Sequence, residues 1–107
     1  MELDRVLKAI GEPTRLKIYQ CLLERKHCVR SLSKKLGISE SAISQHMKIM
    51  REAGLVYGQK YGYHTHYMPV QKTVDSLSAM FIHMQEQSAN LNRDISVCQC
   101  EFRTEEQ

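Results

Sequence analysis

The sequence has no run of roughly 18 or more consecutive apolar residues, the length that a membrane-spanning helix needs. Its N-terminus lacks the basic and then apolar pattern of a secretory signal peptide. Internal repeats and low-complexity tracts are missing as well. We therefore expect a soluble protein of the cytoplasm with no membrane partner.

Signatures of common enzyme classes are also missing. The chain has neither a Gly-rich phosphate loop nor a nucleophile elbow. Its Cys98 and Cys100 form a C-x-C pair after a helix, whereas a thiol oxidoreductase needs C-x-x-C at a helix N-terminus in a βαβ setting. We expect a protein that is not an enzyme, with a thiol oxidoreductase as the distant alternative.

The size of the chain limits its organisation. With 107 residues, of which 42% are hydrophobic, it can bury one modest core and no second one. We expect one domain over residues 1–95 and a cysteine-containing tail over residues 96–107. A small core also makes pairing with a second copy a source of stability.

The net charge of +3 is unevenly distributed. Residues 1–69 carry 12 Lys and Arg against 6 Asp and Glu, a balance of +6, while residues 70–107 carry 3 against 6, a balance of −3. Positive charge favours contact with phosphates, so the first part of the chain is the part expected to meet nucleic acid.

Apolar spacing predicts four helices before the first β-leaning run. The first covers residues 2–10, and the second runs from Pro13 to about residue 25, with Leu16 and Leu23 among its buried positions. The third covers residues 29–36 and ends at Gly37, and the fourth follows an N-cap at Ser39 and ends at Gly54.

The third and fourth helices have the pattern of a helix-turn-helix. The fourth buries one side and presents four polar residues on the other at spacings of i, i+3, i+4 and i+7: Ser41, Ser44, Gln45 and Lys48. Two β-leaning runs, residues 55–60 and 63–68, follow around Gly62. The predicted fold is mainly α with a small β-hairpin wing, a winged helix-turn-helix.

A last helix is predicted from an apolar seam that begins at Val70 and continues through Leu77, Phe81 and Met84 to Leu91 and Ile95. A domain of this size has too little surface to cover the whole seam. We therefore expect the helix to pack against a second copy of the chain.

With its helices in this order, the chain resembles the ArsR/SmtB family of metal- and thiol-sensing bacterial repressors. The phrases that carry the resemblance are GEPTRLKI at 11–18 and SESAISQHMKIMREAGLV at 39–56, with a wing ending in Tyr67. The resemblance implies a homodimer built from the first and last helices, which binds double-stranded DNA with an inverted-repeat operator. It also implies that an inducer weakens DNA binding and that no cofactor is required for it.

In such a repressor the polar stripe of the fourth helix faces the major groove, where Gln45 can pair with adenine edges and Lys48 with guanine or phosphate. Ser39 adds a phosphate contact at the helix N-terminus. The predicted DNA contacts are Ser39, Ser41, Ser44, Gln45 and Lys48, with Lys60, Tyr61 and Tyr63 at the hairpin tip.

Sensing is assigned to cysteines, because thiolates are the soft donors that As(III), Sb(III) and thiophilic divalent metals prefer. The family's arsenic sensors open the third helix with Cys-Val-Cys, and this chain has Cys28-Val29-Arg30 there. The predicted metal ligands are therefore Cys98 and Cys100 with Cys28 of the same or the other subunit.

Two other roles for the cysteines stay open. The same thiols could respond to oxidants or persulfides instead of metals, with Cys21 as a further partner of Cys98. All four cysteines could instead hold structural zinc, in which case chelation would unfold the protein.

Overall fold

A computed structural model of the chain describes residues 2–100 and contains five helices and one hairpin in those residues. The elements in chain order are α1 (Leu3–Ile10), α2 (Pro13–Glu24), α3 (Val29–Leu36), α4 (Glu40–Glu52), β1 (Val56–Tyr61), β2 (His64–Pro69) and α5 (Gln71–Ala89). This order confirms the predicted winged helix-turn-helix. Both strands begin and end one residue later than predicted.

Local signals set the helix boundaries. Pro13 opens α2, and the Glu12 carboxylate caps it by accepting the Arg15 backbone N–H at 2.8 Å. The Ser39 hydroxyl caps α4 by accepting the Ala42 N–H at 3.2 Å. Gly37 ends α3 in the left-handed region at φ 68°, which lets the chain turn directly into α4.

The core is aliphatic and is built by α1–α4 together with the start of β1. Its fully buried side chains are Val6, Ile18, Leu22, Leu32, Ile43, Met47, Met50, Leu55 and Val56. The prediction that Leu16 and Leu23 are buried was wrong, since they are 41% and 51% exposed. They are seven residues, or two turns, apart and lie on the face of α2 opposite Ile18 and Leu22.

The hairpin is antiparallel, with Val56 opposite Pro69 at one end and Tyr61 opposite His64 at the other. Gly62 has φ 63°, the conformation that a tight two-residue hairpin turn requires at its first central position. No non-glycine residue among residues 2–100 has positive φ. The sequence at the tip is therefore matched to the turn.

Two sets of contacts fasten the hairpin and the start of α5 to the helices. The backbone of His27, between α2 and α3, forms a β-bridge with Tyr67 of β2. At the other end the Thr73 hydroxyl donates to Gly54 O at 2.6 Å, and the Val70 N–H donates to Leu55 O at 2.9 Å.

The described residues divide into two units, the first ending at Leu77 and the second beginning at Ser78, so that α5 contributes to both. In the first unit α5 buries Thr73 and Leu77. In the second unit its large apolar side chains are exposed, as with Phe81 at 55%. None of the helices in residues 2–100 combines the length and hydropathy that a membrane span requires.

The prediction that the last helix reaches Ile95 was wrong, because it ends at Ala89. The residues that follow bond to one another and to the helix end. Arg93 donates to Ser88 O at 2.8 Å, and Asp94 accepts the Ser96 N–H at 3.0 Å. Side-chain bonds of this kind compete with the helical ladder and end it.

Candidate nucleic-acid interface and cysteine sites

The exposed face of α4 carries all four residues of the predicted polar stripe. Ser41, Ser44, Gln45 and Lys48 are each exposed. The opposite face buries Ile43, Met47 and Met50, and α4 packs on α3 through this side of the fold. Because core packing anchors the helix from behind, its polar stripe is held in one orientation and is open to a ligand as large as a duplex.

The N-terminus of α4 is set by Ser39. Its hydroxyl lies 3.5 Å from that of Ser41 as well as capping the Ala42 N–H, so Ser39 has a structural role whether or not it contacts phosphate. Ser33 of α3 donates to Ile38 O at 2.5 Å and braces the turn between the two helices.

The hairpin tip projects its predicted contacts into solvent. Tyr63 is fully exposed and Tyr61 is 79% exposed, while Lys60 is exposed on β1. Because these large aromatic side chains are exposed, they are not stabilised by packing in the protein's own core. Their position suits contact with an external surface.

Behind the stripe, α4 is tied to α2 by a polar contact that includes His46. The Arg15 guanidinium donates to His46 Nδ1 at 3.4 Å and to Ala9 O at 2.6 Å. His46 is half-buried, which agrees with a structural rather than a base-reading histidine. The neighbouring Glu12 carboxyl has a lowered pKa, first because it accepts the Arg15 N–H and then because of the charges of His46 and Arg15.

Cys98 and Cys100 lie together in the second unit, in the segment after α5, and both are exposed. The Cys100 backbone N–H donates to Cys98 Sγ at 3.5 Å. This hydrogen bond, and then the Cys100 thiol, lower the pKa of the Cys98 thiol. A larger thiolate fraction makes Cys98 both a better nucleophile and a better soft-metal ligand.

Cys28 and Cys21 lie in the first unit in different surroundings. Cys21 is buried within α2 as a small core residue. Cys28 is the N-cap residue of α3 and is half-buried. It lines a cleft of about 320 Å³ whose other walls are the start of α4, at Glu40, and the hairpin, at Tyr63 and His64.

All four cysteines are free thiols. Within residues 2–100 no three His, Cys, Asp or Glu side chains form a group that could hold a metal ion. A pair of thiols is therefore present at Cys98 and Cys100, and a third ligand has to come from a rearrangement or from a second chain.

The most informative residue that the sequence analysis missed is His27. It is 7% exposed, and its side chain links α3 to the segment that pairs with β2. No sequence signal marks it, because one residue in a short connection forms no period and its bridge partner is 40 positions away in the chain.

Comparison with known proteins assigns part of the chain to a family. Residues 12–57 match the family described as bacterial regulatory protein, arsR family. The HTH-type transcriptional repressor SmtB of Mycobacterium tuberculosis is 37% identical over 57 residues, which are 53% of this chain. Those residues span only 42% of the length of that repressor.

Solved structures are similar over most of the chain. Reduced HlyU from Vibrio cholerae superposes with a TM-score of 0.65 at 30% identity, covering 77% of this chain and 86% of that one. The homodimeric winged helix-turn-helix DNA-binding domain of Mb0332 from Mycobacterium bovis has a TM-score of 0.67 at 21% identity. It covers 85% of this chain and 84% of its own, and its likeness concerns the fold.

Proposed function

The chain belongs to the ArsR family of bacterial regulatory proteins, and from that premise we propose that it is a cytoplasmic, DNA-binding repressor of transcription that a thiophilic effector releases from its operator. Its relatives are transcriptional regulators, which confirms the prediction that it is not an enzyme. The observation that carries the proposal is the exposed polar stripe of α4 beside a basic, aromatic hairpin tip.

The stripe offers both kinds of contact that a DNA-reading helix uses. Gln45 can make a bidentate pair with adenine in the major groove, while Lys48 can reach guanine or a phosphate. Lys60 with Tyr61 and Tyr63 supplies flanking backbone contacts from the hairpin. Base contacts decide sequence preference, and phosphate contacts supply salt-dependent affinity.

This division can be tested by fluorescence anisotropy with duplexes from the protein's own promoter region. Gln45→Ala should weaken binding by ~1–3 kcal/mol at one base position and relax sequence preference there. If Lys48 contacts guanine, Lys48→Ala should likewise weaken binding and relax sequence preference at one base position. If Lys48 neutralises a phosphate instead, the variant should reduce the slope of log K against the logarithm of the salt concentration by about 0.9.

The matched control is Lys17→Ala, which removes one exposed lysine from α2, outside the helix-turn-helix. It should leave affinity and sequence preference close to wild type. Equal losses of affinity in Lys17→Ala and Lys48→Ala would mean that DNA binding is only a non-specific attraction of charge. That result would contradict the assignment of α4 as the DNA-reading helix.

Homodimerisation is part of the proposal. In the second unit, α5 exposes the apolar side chains of Phe81, Ile82 and Met84, which a second copy would bury. Phe81→Glu should produce a monomer in sedimentation equilibrium and abolish operator binding, whereas Gln87→Glu on the same helix should leave the dimer intact. A dimer that survives Phe81→Glu would place the interface elsewhere.

For the effector we propose As(III), Sb(III) or a soft divalent metal, captured first by Cys98 and Cys100. Their thiols lie next to each other, both are exposed, and the Cys98 thiol has a lowered pKa. A third sulfur from Cys28 would complete a pyramidal site. Because Cys28 lines a cleft between the starts of α3 and α4 and the hairpin, ligation there would act on the elements that contact DNA.

The second candidate is a thiol-redox or persulfide sensor that uses the same residues. The lowered pKa of Cys98 and its exposure favour oxidation as well as metal binding. The two are separated by titrating the reduced protein on its operator with arsenite, cadmium and zinc, and then with tetrasulfide and peroxide. If only the oxidants release the protein from its operator, the metal-sensor proposal is contradicted.

Serine variants assign the ligands. Cys98→Ser and Cys100→Ser should each abolish release, and Cys28→Ser should abolish it only if three sulfurs are needed. Cys21→Ala is the control, because Cys21 is buried in the core of α2. Effector response that survives Cys98→Ser would contradict the proposal.

A further inference from the structure

A cleft of about 210 Å³ lies between α1 and α4, and the Arg15 side chain of α2 lines it. Its other charged or large walls are Arg5 and Lys8 on α1 and Ile49 and Glu52 on α4. From Nε, Arg15 donates to Ala9 O of α1 at 2.6 Å, and its Nη1 lies 3.4 Å from His46 Nδ1 in α4. One side chain therefore links the end of α1 to the middle of α4.

The chemistry of the groups fixes the direction of both bonds. A guanidinium has only donors, so His46 Nδ1 accepts with its lone pair, and the proton of the neutral ring lies on Nε2. The Ala9 carbonyl has no helical partner, because the residue four positions later is Pro13, which lacks an N–H. Arg15 supplies the donor that the end of α1 is missing.

The backbone of Arg15 is fixed, and no carboxylate competes for its guanidinium. Glu12 accepts the Arg15 backbone N–H at 2.8 Å. Glu52 lines the same cleft, but the only ion pair within residues 2–100 joins Lys35 and Glu24. The bonds to Ala9 O and His46 are therefore the polar contacts of the guanidinium in the described part of the chain.

Apolar packing defines the rotation of α4 less sharply than a hydrogen bond does. The helix buries Ile43, Met47 and Met50, and methionine adapts readily to small shifts of its neighbours. A bond to a rigid guanidinium is directional, and His46 is half-buried between the buried face and the exposed stripe. Gln45 is the adjacent residue, so a rotation of α4 that breaks the bond to His46 also displaces Gln45.

We propose that Arg15 is a positioning residue for sequence-specific DNA contact: through His46 it sets the rotation of α4 and thereby the place of Gln45 in the major groove. This role rests on the proposed function, since it requires α4 to be the DNA-reading helix. Arg15 is half-buried behind the stripe and acts through His46, not on DNA. Its loss therefore lowers the preference for the operator without changing how many phosphates are neutralised.

The main variant is Arg15→Lys, which keeps the charge and a similar helix propensity. Lysine has one nitrogen on a flexible stem, so it loses the fixed spacing between the two bonds. Fluorescence anisotropy gives the specificity ratio, which is the affinity for a duplex from the protein's own promoter region divided by that for a scrambled duplex of equal length. The ratio should fall at least about threefold, with the slope of log K against log salt unchanged. Lys17→Arg, the reverse exchange at an exposed position of α2, is the matched control and should change neither.

Two variants of His46 test the same link from α4. His46→Asn keeps an acceptor near the position of Nδ1 and has a similar helix propensity, whereas His46→Leu removes the acceptor and has the better propensity. The specificity ratio should stay close to wild type in His46→Asn and fall at least about threefold in His46→Leu. Because both residues act through one bond, the double variant of Arg15→Lys with His46→Leu should lose little more than either single variant.

Ring ¹⁵N shifts test the link without DNA and in the wild type, so they do not depend on the folding of any variant. At about pH 8.5, above the range in which imidazoles ordinarily titrate, His46 should carry its proton on Nε2 and have an unprotonated Nδ1. A proton mainly on Nδ1 leaves no lone pair for Arg15 and overturns the link.

The DNA results separate failure of the positioning role from failure of the proposed function. A wild type that does not prefer its promoter duplex refutes the proposed function, and the positioning role falls with it. A wild type that prefers this duplex, with an unchanged ratio in Arg15→Lys, refutes the positioning role only. Equal ratios in His46→Asn and His46→Leu, or fully additive losses in the double variant, refute it as well.

Discussion

Gly58 lies where the hairpin has no room for a side chain. It faces Tyr67 across the two strands, and an added Cβ would lie 2.8 Å from Thr65 Cγ2 and 3.0 Å from Tyr67 Cε1. Its φ is not in the positive region, so alanine is compatible with the backbone and only the contacts oppose it. Gly58→Ala therefore tests side-chain packing without straining the backbone.

Two effects of opposite sign determine the size of the change. Alanine reduces the conformational entropy of the unfolded chain, which stabilises by ~0.4–1 kcal/mol. Overpacking costs ~1–3 kcal/mol, and the upper part of that range applies because Tyr67 is fixed by its bridge to His27 and cannot retreat freely. The net loss should be about 1–2 kcal/mol, or roughly 5–10 °C in Tm for a chain of this size.

The assay is thermal and urea unfolding at one fixed protein concentration, because an associating protein has a concentration-dependent Tm. Thr65→Ser removes the Cγ2 methyl and keeps the hydroxyl, so it should recover part of the loss in the double variant while costing little alone. Wild-type stability in Gly58→Ala, or no recovery with Thr65→Ser, would show that the strands are not packed as described.

Three further outcomes are expected. Ser39→Ala removes the cap on the Ala42 N–H and should cost ~1 kcal/mol in urea unfolding, with Ser41→Ala, which caps nothing, near wild type. Glu12 has a lowered pKa in the folded state, so its stabilising effect is complete above its ordinary pKa of 4.5 and is lost as the pH falls through the folded-state pKa. In Glu12→Ala the free energy of unfolding should therefore depend less on pH in this acidic range. An unchanged pH dependence there would contradict the prediction. Cys98 should react first with iodoacetamide at neutral pH, because its thiol is exposed and has a lowered pKa. Cys21 should react last, because it is buried. Peptide mass mapping of a time course measures the order.

Local signals in the sequence were sufficient for most of the fold. The third helix was predicted with the bounds that α3 has, and the Ser39 cap was predicted correctly, because caps and glycine stops act on neighbouring residues. The exposed stripe of α4 also follows from a period of 3.6 residues in one segment. The metal ligands at Cys28, Cys98 and Cys100, and the DNA contacts themselves, stay predictions.

The wrong predictions concern burial on α2 and the end of the last helix, which the spacing of apolar residues does not determine by itself. Leu16 and Leu23 fit a helical period, but α2 uses its other face for the core. Leu91 and Ile95 continue a heptad, yet Arg93 and Asp94 supply side-chain hydrogen bonds that end the helix before them. Periodicity reports which residues share a face and says nothing of which face is covered.

By itself the sequence determined a helix-turn-helix with a hairpin. The signals for these elements are the spacing of apolar residues, the caps and the turn glycines, and each depends only on residues within about one helical turn of one another. Only the tertiary structure decided that His27 is buried against β2 and that Gly58 has no space for a methyl group. Those features depend on residues far apart in the chain, and their contacts exist only after the helices and the hairpin have packed together.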